Sequence, residues 1–242
     1  AKAGFSQSYT YFTWRQSASE LEEYFTELTT PPVVDFFRPN AWPNTPDILT
    51  EQLQHGGRPV FVQRLVLAAT LAASYGIYGP AFELCEDRAV APGSEEYLDS
   101  EKYQQRTWDL DAPHSLRDLI ARVNAIRRDH PALLQNRTLR FHASDNEHIL
   151  CYSKTRPDGS DPIVVVVNVD PHHRQSGLVH LDLDGLGLDR DLRYEVHDLL
   201  GGTRYSWHGS SNYVELDPHV LPAHVFAVER PSRSETDFEH FA

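Results

Sequence analysis

The chain has 242 residues, 40% of them hydrophobic, enough for one large domain or two ordinary ones with a proper core. Its 35 acidic against 22 basic side chains leave a net charge of −13, which argues against a nucleic-acid partner, whose phosphates need a basic footprint, and against an anionic membrane surface. Two cysteines, Cys85 and Cys151, are too few for a disulfide framework, and both are expected to be reduced. No signal-peptide pattern opens the chain, and its most apolar run, LVLAATLAASYGIYG, is too short and too interrupted for a membrane span, so a cytoplasmic protein is the expectation. The chain contains no methionine and begins AKAGFSQSY, which leads us to expect a piece of a longer sequence.

In chain order, FSQSYTYFTW reads as an aromatic strand. SASELEEYFTELT then places Leu21, Tyr24, Phe25 and Leu28 at helical spacing, with Ser17 or Ser19 as N-cap and Glu20 and Glu22 near the start. VVDFF reads as a second strand, followed by the proline-rich loop RPNAWPNTPDIL. Residues 58–75 are apolar on nearly every face, as in a helix pressed against a sheet. YGIYGPAFEL reads as a third strand, and a polar stretch of a length usually reserved for functional or disordered loops follows it. SLRDLIARVNAIRRDHPALL predicts a helix with a Ser115-x-x-Asp118 capping pattern, an apolar face of Leu116, Leu119, Ile120, Val123 and Ile126, and a stop at Pro131.

From about residue 137 the rhythm changes to short strands separated by turns: TLRFHAS, EHILCYSKT, PIVVVVNVD, LVHLDLDG, RYEVHDLLGG, NYVELDP and HVFAVER. Val179, Leu181 and Leu183 alternate with polar neighbours, and the set predicts an antiparallel β-sandwich. Strand–helix alternation in the first half implies βαβ units, but three of them would leave a sheet with open edges. The expected architecture is therefore the C-terminal part of a (β/α)8 TIM barrel over residues 1–136, an antiparallel sandwich over 137–231, and a polar tail over 232–242.

In such barrels the chemistry sits on loops after the carboxyl ends of the strands, where Asp47 lies. Pattern alone leaves two readings open: Asp47 caps a turn or the next helix, or it is a carboxylate held in place by Pro39, Pro43 and Pro46. Lys102 and Tyr103, by pattern alone, belong to a solvated charge-rich loop. The adjacent His172 and His173 lack zinc-ligand spacing, and no G-x-S-x-G, P-loop or dinucleotide motif is present.

The order of FSQSYTYFTWR, RPNAWPNTPDIL and GPAFELCEDRAVAPGSEEYLDSEKYQQRTWDL resembles the α-1,4-glucan:maltose-1-phosphate maltosyltransferases, retaining enzymes of the α-amylase superfamily. The resemblance runs from Ala1 to about Pro231. It implies transfer of a maltosyl unit from α-maltose 1-phosphate to the non-reducing end of an α-1,4-glucan, with release of phosphate and through a covalent glycosyl-enzyme. It assigns Asp47 as the carboxylate that stabilises the transition state, and Lys102 and Tyr103 as residues that bind the donor's maltosyl unit. It implies no cofactor and no metal, and suggests a homodimer for the full-length enzyme. The nucleophile and the general acid/base would both precede residue 1, so the chain alone is expected to be inactive. Two alternatives remain: another hydrolase or isomerase of the same superfamily, and a non-catalytic glucan-binding or scaffolding fragment.

Overall fold

The computed structural model describes residues 3–5 and 7–229. Its first part is a three-stranded parallel sheet in the order β1 (Ser8–Tyr9), β2 (Pro39–Ala41), β3 (Ser74–Tyr75), with Tyr9 opposite Asn40 and Ala41 opposite Tyr75. Between the strands run helices α1 (Ala18–Thr29), α2 (Val33–Phe36), α3 (Glu51–His55) and α4 (Gly57–Leu71). After β3 come α5 (Gly79–Glu83), a long irregular segment, and α6 (Arg117–Asp129).

Helix α1 starts as its sequence dictates. The Ser17 hydroxyl accepts from the Glu20 N–H, and the Glu20 carboxylate accepts from the Ser17 N–H, which completes a capping box. Those bonds, led by the Ser17 N–H, hold the Glu20 carboxyl below its usual range. Helix α4 is the hub, and every side chain from 60 to 71 is buried. It touches β2 and β3, α3, α6 and the large sheet, which accounts for its lack of a polar face. Its last carbonyls have no glycine cap. The Arg127 guanidinium on α6 donates instead to the carbonyls of Ala69, Ala72 and Ala73.

Three local expectations are corrected. VVDFF is helix α2, because only Val34 of the five is buried; Asp35 is exposed and pairs with Arg137 at 2.6 Å. The strand itself is Pro39–Ala41, buried throughout, with Pro39 at its first position, where the missing N–H is least costly. Of YGIYGPAFEL only Tyr75 is strand, as the second residue of Ser74–Tyr75, and Gly79–Glu83 is helical. The Ser115–Asp118 capping pattern is not formed: α6 begins at Arg117, and the Ser115 hydroxyl donates to Glu83 at 3.0 Å.

The second part is an eight-stranded antiparallel sheet. Its strands are β4 (Arg140–Ser144), β5 (Ile149–Lys154), β6 (Ile163–Asn168), β7 (Gln175–His180), β8 (Arg193–Asp198), β9 (Arg204–His208), β10 (Ser211–Leu216) and β11 (Ala223–Glu229). The order is β10-β7-β4-β5-β6-β11-β8-β9. It is one continuous sheet rather than the two of a sandwich. Its edge strands β9 and β10 are consecutive in the chain and touch, so the sheet curls nearly shut around Val179, Val196, Trp207, Val214 and Phe226. Strands β5 and β6 are buried at every position: Leu150, Tyr152, Val165 and Val167 face the helices, while Cys151, Val164 and Val166 face the inside of the curl. Burial on both faces explains the unbroken run IVVVV. LVHLDLDG ends as a strand at His180, and Leu183–Leu186 forms a short helix, α7, capped by the Asp182 carboxylate. Strand β9 has no counterpart in the sequence reading.

Two side-chain bonds from α4 help tie the parts together. Gln63 on α4 donates to the Asn168 carbonyl at 2.8 Å, and the Thr70 and Tyr152 hydroxyls meet at 2.5 Å, both pairs buried. Among the described residues no helix is long and apolar enough to cross a membrane. The predicted tail, 232–242, lies outside the described residues.

Candidate active site

The three parallel strands run the same way, so the segments after Tyr9, Ala41 and Tyr75 leave the sheet on one side. In parallel α/β sheets ligands bind on that side. The segment after β2 starts with Trp42, whose ring lies so close over Gly76 that a Cβ there would sit 2.3 Å from it. The Trp42 carbonyl accepts from the Thr13 hydroxyl at 2.7 Å, and Tyr9 stands 5.3 Å from the Trp42 ring. Next comes Asn44, fully buried, which donates to the Tyr97 hydroxyl at 2.7 Å and accepts from the Tyr78 N–H at 2.9 Å.

Thr45 and Ile48 exchange both backbone bonds, at 3.1 and 3.2 Å, and so close a tight turn with Pro46 and Asp47 at its tip. The Asp47 N–H is bonded to the Thr45 hydroxyl at 3.2 Å. Beyond the turn, the Leu49 N–H donates to the Glu95 carbonyl at 2.6 Å, and the Gln54 amide ties Leu49 to Ser94. The Asp47 carboxylate is thus exposed on a loop fastened at both ends. It does not cap α3, whose N-cap position is Thr50.

The segment 85–110 is ordered by its own bridge between Ala89 and Tyr97, and by a turn in which the Tyr103 and Gln104 N–H groups both reach the Ser100 carbonyl at 3.0 Å. That turn presents Lys102 and Tyr103. The Lys102 amine forms an ion pair with Asp47 and lies 3.8 Å from Glu96 and 5.5 Å from the centre of the Tyr103 ring. The hydrogen bond to Asp47, with further help from Asp47, Tyr103 and Glu96 as charges, raises the Lys102 amine above its usual range. Three residues singled out from sequence, Asp47, Lys102 and Tyr103, therefore stand in one cluster. Glu96, Asn44, Tyr78 and Tyr97 were missed. Asn44 and its proline neighbours were visible in the loop, but nothing local tells which distant hydroxyl an asparagine will reach.

An exposed carboxylate, an ammonium group and a tyrosine face together offer acceptors and donors to hydroxyl groups and a flat surface to a sugar ring. A cleft of about 910 Å³ lies elsewhere, between the start of α1 and the β4–β5 hairpin, and contains none of these three residues. His172 and His173 sit in a turn organised by Asp170, which accepts from both of their N–H groups. Among the described residues no group of three or more histidines, cysteines and carboxylates is arranged to hold a metal ion.

A family model described as "GLGE, C-terminal" matches residues 141–228. The α-1,4-glucan:maltose-1-phosphate maltosyltransferase of Methylacidiphilum infernorum is 52% identical over 230 residues, 95% of this chain. That of Myxococcus xanthus is 50% identical over 240 residues, 99% of this chain. The chain resembles the maltosyltransferases across nearly its whole length. It spans about a third of theirs, 34% and 36% respectively. Among solved structures, an Anoxybacillus α-amylase superposes with a TM-score of 0.66 at 14% identity, covering 96% of this chain and 49% of the amylase. An α-amylase from Geobacillus thermoleovorans, complexed with acarbose, gives the same score. At that identity the likeness is one of fold, and it joins the maltosyltransferase resemblance to the α-amylase architecture.

Proposed function

We propose that this chain forms the C-terminal part of a maltosyltransferase that moves maltosyl from α-maltose 1-phosphate to the non-reducing end of an α-1,4-glucan and releases phosphate. The observation that carries the reading is the meeting of Asp47, Lys102 and Tyr103 beyond the carboxyl ends of β1–β3. In this reading residues 1–136 supply the last βα units of a (β/α)8 barrel, residues 137–231 the C-terminal β domain, and 232–242 a tail. Asp47 accepts hydrogen bonds from sugar hydroxyls that strengthen as the ring becomes oxocarbenium-like, a gain worth several kcal/mol only if the carboxylate is aimed beforehand. The fastened loop supports that role. Lys102 supplies charged donors to the maltosyl unit and Tyr103 an apolar face.

Retention requires two further carboxyl groups about 5–5.5 Å apart, a nucleophile and a general acid/base. Of the acids that precede Asp47, Glu20 caps α1, Asp35 pairs with Arg137, and Glu22, Glu23 and Glu27 lie exposed on α1. We assign both roles to sequence outside this chain, which alone is then inactive. A cytoplasmic location and a homodimer of the longer enzyme accompany the reading.

The test is phosphate release from α-maltose 1-phosphate with a maltooligosaccharide acceptor, by the protein as its source cells make it. Asp47→Ala is expected to abolish transfer while leaving the far-ultraviolet circular dichroism and the unfolding midpoint in place. Turnover equal to wild type in that variant would sink the assignment, as would turnover by the 242-residue chain alone.

A further inference from the structure

The Asp47–Lys102 pair is one link in a closed circuit of contacts. From the loop that bears Asp47, the buried Asn44 side chain holds the main chain of Tyr78, accepting from its N–H at 2.9 Å and donating to its carbonyl at 3.4 Å. The Tyr78 hydroxyl donates to the Glu101 carboxylate at 2.5 Å. Glu101 is the chain neighbour of Lys102, whose amine returns to Asp47. A second donor, the Trp108 indole at 3.2 Å, steadies the same carboxylate, and Arg106 lies over Trp108 at 3.8 Å while pairing with Glu86 at 2.8 Å.

The polarity of the central bond is fixed. Burial, reinforced by the neighbouring Glu101 carboxylate, pushes the Tyr78 phenol up to about 12, so it keeps its proton. The Tyr78 bond, followed by that of Trp108, holds the Glu101 carboxyl below its usual range. Donor and acceptor therefore do not exchange roles near neutrality, and a hydrogen bond to a charged acceptor is stronger than a neutral one. A tyrosine that only filled space would need its ring contact with Tyr97, at 5.6 Å, and no hydroxyl.

We propose that Tyr78 is a positioning residue for the Asp47–Lys102 pair, gripped through its main chain by one partner's loop and holding the other partner's turn through its hydroxyl. Tyr78 thereby sets the spacing at which carboxylate and ammonium meet a substrate. The kinetic consequence rests on the maltosyltransferase reading; the structural one does not.

The experiment is competitive acylation of Lys102 with acetic anhydride across pH, followed by peptide mass spectrometry, on the protein as its source cells make it. The groups facing this amine are Asp47, Glu96 and the Tyr103 ring, so its midpoint reports how closely it is held to them. Asp47→Asn is expected to speed labelling at a fixed pH below the midpoint. Tyr78→Phe, which keeps the ring, is expected to do so by roughly threefold, the equivalent of about half a pH unit. Glu101→Gln keeps an acceptor for the phenol and should fall between Tyr78→Phe and wild type. Labelling in Tyr78→Phe equal to wild type while Asp47→Asn speeds it overturns the proposal, and so does labelling that none of the three changes. In the kinetic arm Tyr78→Phe raises KM for α-maltose 1-phosphate severalfold with little change in kcat. A wild type that releases no phosphate, alongside shifted labelling, removes the functional reading and leaves Tyr78 in its positioning role.

Discussion

Strands β1 to β3 contribute two or three residues each, whereas β5 and β6 contribute six apiece, buried at every position. In the large sheet the backbone ladder and two apolar faces determine where side chains go. In the small sheet there is too little ladder for that. Position is taken over by buried polar side chains that reach across loops: Asn44 to Tyr78 and Tyr97, Thr13 to Trp42, and Arg64 to the carbonyls of Phe12 and Arg15 at 2.5 and 2.6 Å. The Asp47 cluster lies on the side governed by these contacts. A single polar deletion there should therefore disturb more than its size suggests.

Four substitutions test that contrast. Asn44→Ala leaves the buried Tyr97 hydroxyl and the Tyr78 N–H without partners, and at about 1–3 kcal/mol for each orphaned group the loss of stability should reach about 4 kcal/mol. Urea unfolding followed by circular dichroism measures it; a loss below about 1 kcal/mol would mean that water takes over the asparagine's place.

The large sheet has its own exception in His142, buried on β4. Its Nε2 meets the Ser153 hydroxyl at 2.8 Å and its Nδ1 accepts from the Asp182 N–H at 3.2 Å, so the ring is held neutral. Burial first, with Arg140 assisting against Asp182, lowers its pKa from 6.5 to about 4. A depressed folded value means that this stabilisation is complete above pH 6.5 and is lost as pH falls toward 4, about 3 kcal/mol in all. His142→Asn keeps an acceptor without the titration, and its stability should be flatter across that window. Parallel curves for the two proteins would remove His142 from the acid response.

The smallest effect separates two glycines. Gly76→Ala drives a methyl into the Trp42 ring at the foot of the Asp47 loop and should destabilise by about 2 kcal/mol, with a shift in tryptophan emission. Gly79→Ala meets nothing within 4 Å and should stay within about 0.5 kcal/mol of wild type. Equal effects would show that Trp42 yields freely.

The same contrast divides what could be read from sequence. Helices α1, α4 and α6 were legible because each carries either a cap or an apolar pattern over three turns or more. Strand β2 was not: three residues, Pro-Asn-Ala, have no period to detect, while the more apolar VVDFF beside them drew the assignment. The strands of the second half were legible by alternation, yet alternation says nothing about which edges meet, so one curled sheet read as two. Asp47, Lys102 and Tyr103 came from motif resemblance, since spacing alone left each of them a surface residue. The Tyr78–Glu101 bond joins positions whose local sequence carries no sign of the other.

The turn between β9 and β10 has a further consequence for handling this protein. Gly209 and Ser210 join the two edge strands and keep β9 and β10 in contact. Cutting the chain there, or lengthening the turn, would release two long edges at once, each a template for a strand from another molecule. A tag or permuted terminus placed in that short connection should cause aggregation before it causes unfolding.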